Sequence, residues 1–392
     1  MDEIGGRLFP VHRGTQDAQF VLFSTPSMST GQNCIFPDDV IIQILARLPV
    51  KYLFRFKCVC KLWCRLPSEP YFVRLYDELS SSRIGVLLEI VQSSTMYPNF
   101  VYMDGLNDTG EFTSEFMGDR IKIRASCNGL LCCASVPNRG VYYVCNPMTR
   151  QWITLPRTRK RPVSRYHPDD ESTLVGLAFD PPDQKFSVVL AGFYRPFGRR
   201  ALDCLVCQVF DSATNLWTRS IFSHNDEFTH MNKNQAVYAY GALHWLTYRS
   251  SYVLALDLEK GTWRKVSLPD ALLGSCNSRI YLLELEGSVS IIQITEGMMV
   301  IWLLKDYVNQ IWMVADRISL RCVKAFMSSI FPISQSRDCV FLATQKHVLL
   351  YHRESKVWKE LFSVKNTIAF PLWFSAHAYR RTLFSCHQSL DS

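Results

Sequence analysis

Cysteine is the residue type in this chain with the widest range of chemistry, because thiols bind metals, form disulfides and act as nucleophiles. Fourteen cysteines are present, and Cys204 with Cys207 forms a single C-x-x-C motif. A structural zinc site needs four ligands, usually as two such pairs, and no second pair stands at a matching distance. Residues 202–210 are also predicted to form a strand, in which residues three apart face opposite sides. We therefore expect most cysteines to be buried apolar side chains and no metal to be bound.

The sequence contains none of the common catalytic motifs. There is no G-x-S-x-G nucleophile elbow, no H-E-x-x-H zinc motif and no G-x-x-x-x-G-K-[ST] phosphate-binding loop. Nine histidines are scattered along the chain, and none is paired with a carboxylate at a spacing that suggests a proton relay. Asp180, Asp211 and Asp257 stand at predicted turns, where a carboxylate commonly bonds its own backbone. We therefore expect neither catalytic residues nor a cofactor.

Two basic segments, residues 157–165 and the arginines around Phe197-Gly198, hold the most concentrated charge in the chain. Such segments are typical of nuclear import signals, of anion-binding loops and, most often, of solvated loops between structural elements. If both lie on one face of the fold, they would form a basic rim suited to an acidic target protein. The residues of this predicted rim are Arg157, Arg159, Lys160, Arg161, Arg165, Arg199 and Arg200.

The expected location follows from charge and hydrophobicity. Asp2 and Glu3 stand where a secretory signal peptide would carry basic residues. The most apolar stretch, residues 280–304, contains three glutamates and does not fit a membrane span. We expect a disordered leader over residues 1–33, a location in the nucleus or the cytoplasm, no secretion and no membrane partner. The net charge of +8 by itself does not distinguish an acidic protein from nucleic acid as a partner.

Residues 34–78 are predicted to be helical. Pro37 suits the first position of a helix, and Asp38 and Asp39 place negative charge in the first turn, where the helix dipole favours it. Pro49 ends this helix, whose apolar face is formed by Ile41, Ile44, Leu45 and Leu48. About 40 residues rarely bury enough surface to fold alone. The surplus apolar surface therefore forms either a cap on the rest of the chain or an interface with another protein.

From residue 84 the pattern changes to short strands that contain a repeat. Each unit is an apolar strand, an Asp or Asn that begins a turn, and a tryptophan that opens the next strand; the tryptophans are Trp152, Trp217, Trp263, Trp312 and Trp358. The last four are 46, 49 and 46 residues apart. A period of 45–50 residues is typical of kelch-like propeller blades, and we expect each tryptophan to pack between adjacent sheets. Residues 84–386 are predicted to form about six blades; the alternative is a β-sandwich with coincidental hairpins.

Both halves resemble parts of one family. The segment from Phe36 to Trp63, together with Pro-Tyr-Phe-Val at residues 70–73, strongly resembles an F-box; Phe36 replaces the usual Leu, and Gln43 stands where an acidic residue is common. The second half is similar to the F-box-associated, kelch-like region of plant F-box proteins, in the phrases SCNGLL (126–131), VCNPMT (144–149) and LHWL (243–246). This resemblance implies an α+β multidomain protein with a small all-α F-box followed by an all-β propeller.

The resemblance also implies a function. The chain would be a non-catalytic adaptor of an SCF (Skp1–cullin–F-box) ubiquitin ligase, in which the F-box binds a Skp1-like protein and through it cullin and RING subunits. The positions that match the Skp1 contact or its core are Phe36, Pro37, Ile41, Ile44, Leu45, Leu48, Pro49, Leu53, Phe56, Val59, Cys60 and Trp63. The propeller would bind an unknown target protein, and no nucleic acid partner is expected. A Skp1-binding scaffold or transcriptional co-regulator that degrades nothing, and a propeller enzyme or lectin, are the alternatives.

A further expectation concerns how the two parts relate. A closed propeller largely buries its own sheet faces and has limited need of a helical cap. The helical segment is therefore expected to be free to face a partner.

Overall fold

The computed structural model describes residues 36–80, 84–91, 97–105, 109–137, 140–158, 162, 174–193, 205–223, 236–247, 252–272, 279–326, 329–344, 346–364 and 373–386. The chain divides into two compact units, residues 1–41 and residues 42–392. The predicted leader, residues 1–33, lies outside the described residues. No helix in the described ranges is long and apolar enough to span a membrane.

Four α-helices come first. They are α1 (Asp38–Leu45), α2 (Val50–Phe56), α3 (Lys61–Arg65) and α4 (Pro70–Ser80), with a 3₁₀ turn at Leu66–Ser68 before the last. Two prolines set the helix starts, because the carbonyl of Pro37 accepts the N–H groups of Val40 and Ile41, and that of Pro49 accepts those of Tyr52 and Leu53. A proline just before the first turn gives up no helical hydrogen bond.

Helix α4 buries one face and is joined to the propeller by an ion pair. Phe72, Val73 and Tyr76 are buried at helical spacing, and Asp77 beside them forms an ion pair with Arg380 near the end of the chain. The expectation that the helical segment stands free of the propeller is therefore wrong for α4. Its apolar stripe needs cover, as any amphipathic helix does.

The rest of the described chain forms six antiparallel sheets of four strands. One sheet joins the last and first strands of the propeller in the order β24 (Trp373–Arg380), β1 (Ile84–Val91), β2 (Asn99–Asp104) and β3 (Thr109–Thr113). The next two are β4 (Ile121–Cys127), β5 (Leu130–Ser135), β6 (Tyr142–Asn146), β7 (Gln151–Thr154), and β8 (Leu174–Asp180), β9 (Lys185–Phe193), β10 (Leu205–Asp211), β11 (Leu216–Ser223).

The remaining three sheets follow in chain order. They are β12 (Val237–Ala239), β13 (Ala242–Leu246), β14 (Tyr252–Asp257), β15 (Trp263–Ser267); β16 (Arg279–Leu285), β17 (Ser288–Ile294), β18 (Met298–Asp306), β19 (Ile311–Ser319); and β20 (Phe331–Gln335), β21 (Cys339–Ala343), β22 (His347–His352), β23 (Val357–Ser363). Middle strands such as β5 and β21 are buried along their whole length, because each sheet is covered on both faces by its neighbours. This explains their continuous apolar runs.

The six sheets close into a β-propeller. The first strand of each sheet contacts the first strand of the next, in the ring β4, β8, β12, β16, β20, β24 and back to β4. The last blade is completed by the pairing of β24 with β1, which runs from Ile84 opposite Arg380 to Val91 opposite Trp373. The prediction of about six blades is confirmed, and the β-sandwich alternative is wrong.

Turns within the blades follow the repeat seen in the sequence. Asp211 Oδ1 accepts the N–H of Ala213 at 2.9 Å, and Asp257 Oδ1 accepts that of Lys260 at 2.8 Å. The carboxylate thus satisfies backbone donors that the turn leaves unpaired, as expected for a turn-initiating Asp. The hairpin between β4 and β5 uses a left-handed Gly129 (φ 81°). A Cβ there would lie 2.6 Å from the Arg380 carbonyl oxygen, so only glycine fits.

Candidate functional site

The residues predicted to bind Skp1 separate into three groups by burial. In the first unit Phe36 and Pro37 are exposed and Ile41 is buried. In the second unit Leu45 and Leu53 are buried, Leu48, Pro49, Phe56 and Trp63 are half-buried, and Ile44, Val59 and Cys60 are exposed. The rings of Phe56 and Trp63 meet edge to face with centroids 5.7 Å apart. Sequence reasoning missed Tyr52, which is also exposed; its position one helical turn before Phe56 was the available signal.

Most of the predicted basic rim lies outside the described residues. These are Arg159, Lys160, Arg161, Arg165, Arg199 and Arg200. Arg157 is described and is exposed. Strands β7 and β9, which precede the two basic segments, are the fourth and second strands of their sheets. Because neighbouring strands are antiparallel, both end at the same face of the propeller.

A cavity of about 390 Å³ occupies the centre of the ring. It is lined by all six inner strands and by the hairpins that follow β4, β12 and β16. Its mouth is therefore at the face opposite the ends of β7 and β9. Polar side chains on its lining residues are Ser126, Cys127, Asn128, Tyr238, Tyr240, Glu284, Ser334, Tyr379 and Arg380.

Arg380 near this mouth pairs with the Asp77 carboxylate and influences that of Glu284 electrostatically. Arg380 Nη2 lies 2.9 Å from Asp77 Oδ1 and donates to Oδ2 at 3.1 Å. Burial raises the pKa of Asp77, and Arg380 opposes that effect only in part. Burial likewise raises the pKa of Glu284, against the backbone N–H of Gly287 and the charge of Arg380, which both lower it. Partial desolvation therefore disfavours the ionised form of both carboxyls.

Cys127 lines the same cavity without being a reactive thiol. Burial raises its pKa to about 12, so the thiol is protonated at neutral pH, and thiols react as thiolates. Of the described cysteines, Cys132, Cys133, Cys145, Cys207, Cys339 and Cys386 are buried, whereas Cys58, Cys60, Cys64 and Cys322 are exposed. Cys204 lies outside the described residues. Within the described ranges, no three His, Cys, Asp or Glu side chains are arranged to hold a metal.

The structure brings two histidines to carboxylates that the sequence did not pair. His347 Nδ1 lies 3.2 Å from Glu360 Oε2, and His377 Nε2 lies 3.7 Å from Glu89 Oε2. Both pairs form between neighbouring strands, and the second joins the first and last strands of the propeller, so sequence spacing gave no sign of them. They do not contradict the prediction, which concerned spacings in the sequence that would suggest a proton relay. Neither pair lines the cavity.

The five repeat tryptophans lie on the outer strands and are half-buried. Trp217 Nε1 donates to the Pro156 carbonyl at 2.6 Å, and Trp312 Nε1 donates to the Ser267 carbonyl at 2.9 Å. These two bonds link a blade to the segment that leaves the blade before it. The rings of Trp152, Trp263 and Trp358 pack on Tyr143, Trp245 and Tyr351 within their own sheets.

Among the tryptophans whose burial is described, the most deeply buried is one that the repeat did not single out. Trp245 is 1% exposed and packs with Leu243 and Ala178 between two blades. Trp245 stands in the LHWL motif of β13, so this motif lies at the centre of an interface between two blades. The repeat tryptophans lie instead at the outer margin of the interfaces between blades.

Comparisons with known proteins agree on both parts of the chain. The F-box associated beta propeller domain matches residues 87–360, and the F-box domain matches residues 34–75. F-box protein At5g49610 of Arabidopsis thaliana is 50% identical over 363 residues, which cover 92% of this chain and 100% of that protein. Putative F-box protein At4g38870 of the same plant is 26% identical over 306 residues, 71% of this chain and 67% of that protein.

Proposed function

Because this chain belongs to the plant F-box proteins that carry an F-box-associated β-propeller, we propose that it is the substrate adaptor of an SCF-type ubiquitin ligase. Its helices would bind a Skp1-like subunit, and through it cullin and RING subunits. Its propeller would hold a target protein for ubiquitination in the nucleus or the cytoplasm. The adaptor itself would be non-catalytic, because ubiquitin transfer takes place on other subunits.

The observation that carries this proposal is the exposed apolar surface of the helices. Ile44, Tyr52 and Val59 are 52%, 43% and 57% exposed within sixteen residues of the second unit. Phe36 and Val40 of the first unit are exposed as well. Several large apolar side chains left in water within one short segment commonly mark a part of the chain that another protein covers.

The positive charge of the helical segment limits which partner surfaces would fit it. Residues 42–68 contain six basic side chains and no Asp or Glu: Arg47, Lys51, Arg55, Lys57, Lys61 and Arg65. All except Lys57 are exposed. A partner surface that is apolar at its centre and acidic at its margin would match both features, and its association should slow as salt is raised. We therefore expect the Skp1-like partner to be acidic where it meets the helices. This expectation does not depend on whether the basic rim of the propeller binds an acidic target.

The propeller face that would bind the target is the one away from α4. Asp77 of α4 meets Arg380 at the face where the cavity opens. The connections after the second and fourth strand of each blade leave from the opposite face, including the long ones between β7 and β8 and between β9 and β10. Connections of this kind commonly carry binding specificity. The proposal therefore places the target on that opposite face.

Two exposed substitutions test the helical interface. The double variant Ile44→Ser with Val59→Ser should lower the affinity for a recombinant Skp1-like protein by about 10- to 100-fold, since full burial of a side chain of this size contributes about 1.5–3 kcal/mol and about half of each is exposed. The matched control is Leu216→Ser with Val308→Ser, two exposed apolar residues of the propeller. Equal affinity of both double variants, measured by calorimetry on the full chain, would contradict the assignment.

A further inference from the structure

The central cavity contains the carboxylate of Glu284, which has no role in the proposed adaptor function. This residue stands near the end of β16 and lines the cavity. Its Oε1 accepts the backbone N–H of Gly287. Within the described part of the chain this is its only hydrogen bond, so Glu284 Oε2 has none.

Arg380 does not supply the missing partner. Its guanidinium lies near enough to Glu284 to influence it electrostatically, yet its hydrogen bond goes to Asp77. Arg380, Asp77 and Glu284 together carry one positive charge against two negative charges. Cys127 adds no charge, because its thiol is protonated. The cavity mouth is therefore left with one carboxylate in excess.

The surroundings add to this negative field. Asp180 at the end of β8, Asp183 on the hairpin after it and Glu286 on the hairpin after β16 are exposed at the same face. Lys185 lies 3.0 Å from Asp183 and Arg337 lies 3.6 Å from Glu286, so these two bases leave one of the three carboxylates in excess. The walls of the cavity are partly apolar: Ile84, Phe179 and Leu282 contribute hydrocarbon surface beside the polar lining residues. A charge interacts more strongly in such surroundings than in open water.

We propose that the central cavity binds an aliphatic cation, an alkylammonium or guanidinium group whose charge meets Glu284 while its hydrocarbon part contacts the apolar walls. A volume of about 390 Å³ lies within the usual range of small-ligand sites, and it accommodates a lysine or arginine side chain or a free polyamine. Lysine and arginine bury their stems in this way elsewhere in proteins. This site is independent of Skp1 binding, because it uses no residue of α1, α2 or α3.

The test is a titration of the full chain with three probes by calorimetry. N-acetyl-lysine amide represents a peptide-borne cation, spermidine a free one, and N-acetyl-norleucine amide the uncharged counterpart. At least one of the two cations should bind at least tenfold more tightly than norleucine amide. Tighter binding of lysine amide would identify a protein side chain as the ligand, and tighter binding of spermidine a free amine.

Two variants locate the site. Glu284→Gln keeps the acceptor for the Gly287 N–H and removes the charge, so the preference for the cation should fall below about threefold. Glu286→Gln, two residues along and exposed, should leave the preference unchanged. Retention of the preference in Glu284→Gln would overturn the proposal. Equal binding of all three probes to the wild type would overturn it as well, whether or not the variant folds.

Discussion

At the scale of single residues, Asp77 and Arg380 form the charged contact that fastens α4 to the propeller. Their side chains are only 12% and 14% exposed, and they are 303 residues apart in the chain. Two effects compete at Asp77: burial raises its pKa, and the guanidinium lowers it, with burial the stronger. A buried pair of this kind adds little net stability, but removing one partner leaves the other charged and desolvated.

Arg380→Met therefore tests the contact. Methionine keeps most of the volume and removes the charge, so the free energy of unfolding should fall by about 3–5 kcal/mol. The control is Arg337→Met, whose pair with Glu286 is exposed on both sides (82% and 55%) and should cost at most about 1 kcal/mol. Urea unfolding followed by tryptophan fluorescence measures both. Equal losses in the two variants would refute the fastening role.

His244 gives the structure a dependence on pH with a defined sign. It is buried between the Val237 carbonyl (3.2 Å) and the Tyr307 hydroxyl (3.1 Å), and burial lowers its pKa from 6.5 to about 4. Below pH 6.5 His244 becomes protonated in the unfolded chain, whereas in the folded chain it stays neutral until the pH approaches 4. Stability should therefore be lost as the pH falls from 6.5 to 4.

The variant His244→Gln isolates this effect, because glutamine retains a donor and an acceptor but does not titrate in this range. Relative to the variant, wild type should lose about 2–3 kcal/mol of unfolding free energy between pH 7 and pH 4.5. Asp77 and Glu284, whose raised pKa values favour the folded state at low pH, are common to both proteins and cancel. A constant difference between wild type and variant across this range would contradict the account.

At the scale of elements, hydrogen bonds from the outer strands couple neighbouring blades. Trp312 of β19 bonds the Ser267 carbonyl at the end of β15, whereas Trp152 of β7 has no such bond within the described residues. Trp312→Phe should therefore cost about 1 kcal/mol more unfolding free energy than Trp152→Phe, since the loss of ring size is the same in both. Equal costs in thermal or urea unfolding would show that the bond contributes nothing.

Local elements were readable from the sequence, and contacts between distant elements were not. The Asp turns at Asp211 and Asp257, the start of the first helix near Pro37 and the approximate number of blades all rest on short-range patterns. The contact of Asp77 with Arg380 and the pairing of His377 with Glu89 form only because β24 pairs with β1. For the same reason the cavity was beyond sequence reasoning: its lining takes a few residues from each of six strands.

At the scale of the whole molecule, the proposed adaptor keeps its two tasks apart. The helical surface would meet the ligase, and the propeller face away from α4 would meet the target. The basic segments follow β7 and β9, which end at that face, although most of their residues lie outside the described ranges. The expected consequence is that their charge affects target binding alone.

Charge reversal of the basic segments tests this separation. Changing Arg159, Lys160, Arg161, Arg199 and Arg200 to Glu should weaken capture of an acidic target at least about tenfold and leave the affinity for the Skp1-like protein unchanged. The control reverses Lys260 and Lys356, exposed on hairpins of the opposite face, and should affect neither partner. Full retention of the target by the first variant would remove the basic rim from the proposal.

The most direct measurement of the central claim compares target lifetime in plant cells that express either wild type or Ile44→Ser with Val59→Ser. If the chain is an adaptor for degradation, the double variant should still capture the propeller-bound protein but lose the Skp1-like and cullin subunits. The half-life of the captured protein should then lengthen. A half-life that is the same with both forms, while wild type alone recovers the ligase subunits, would contradict an adaptor for degradation and leave a Skp1-binding scaffold.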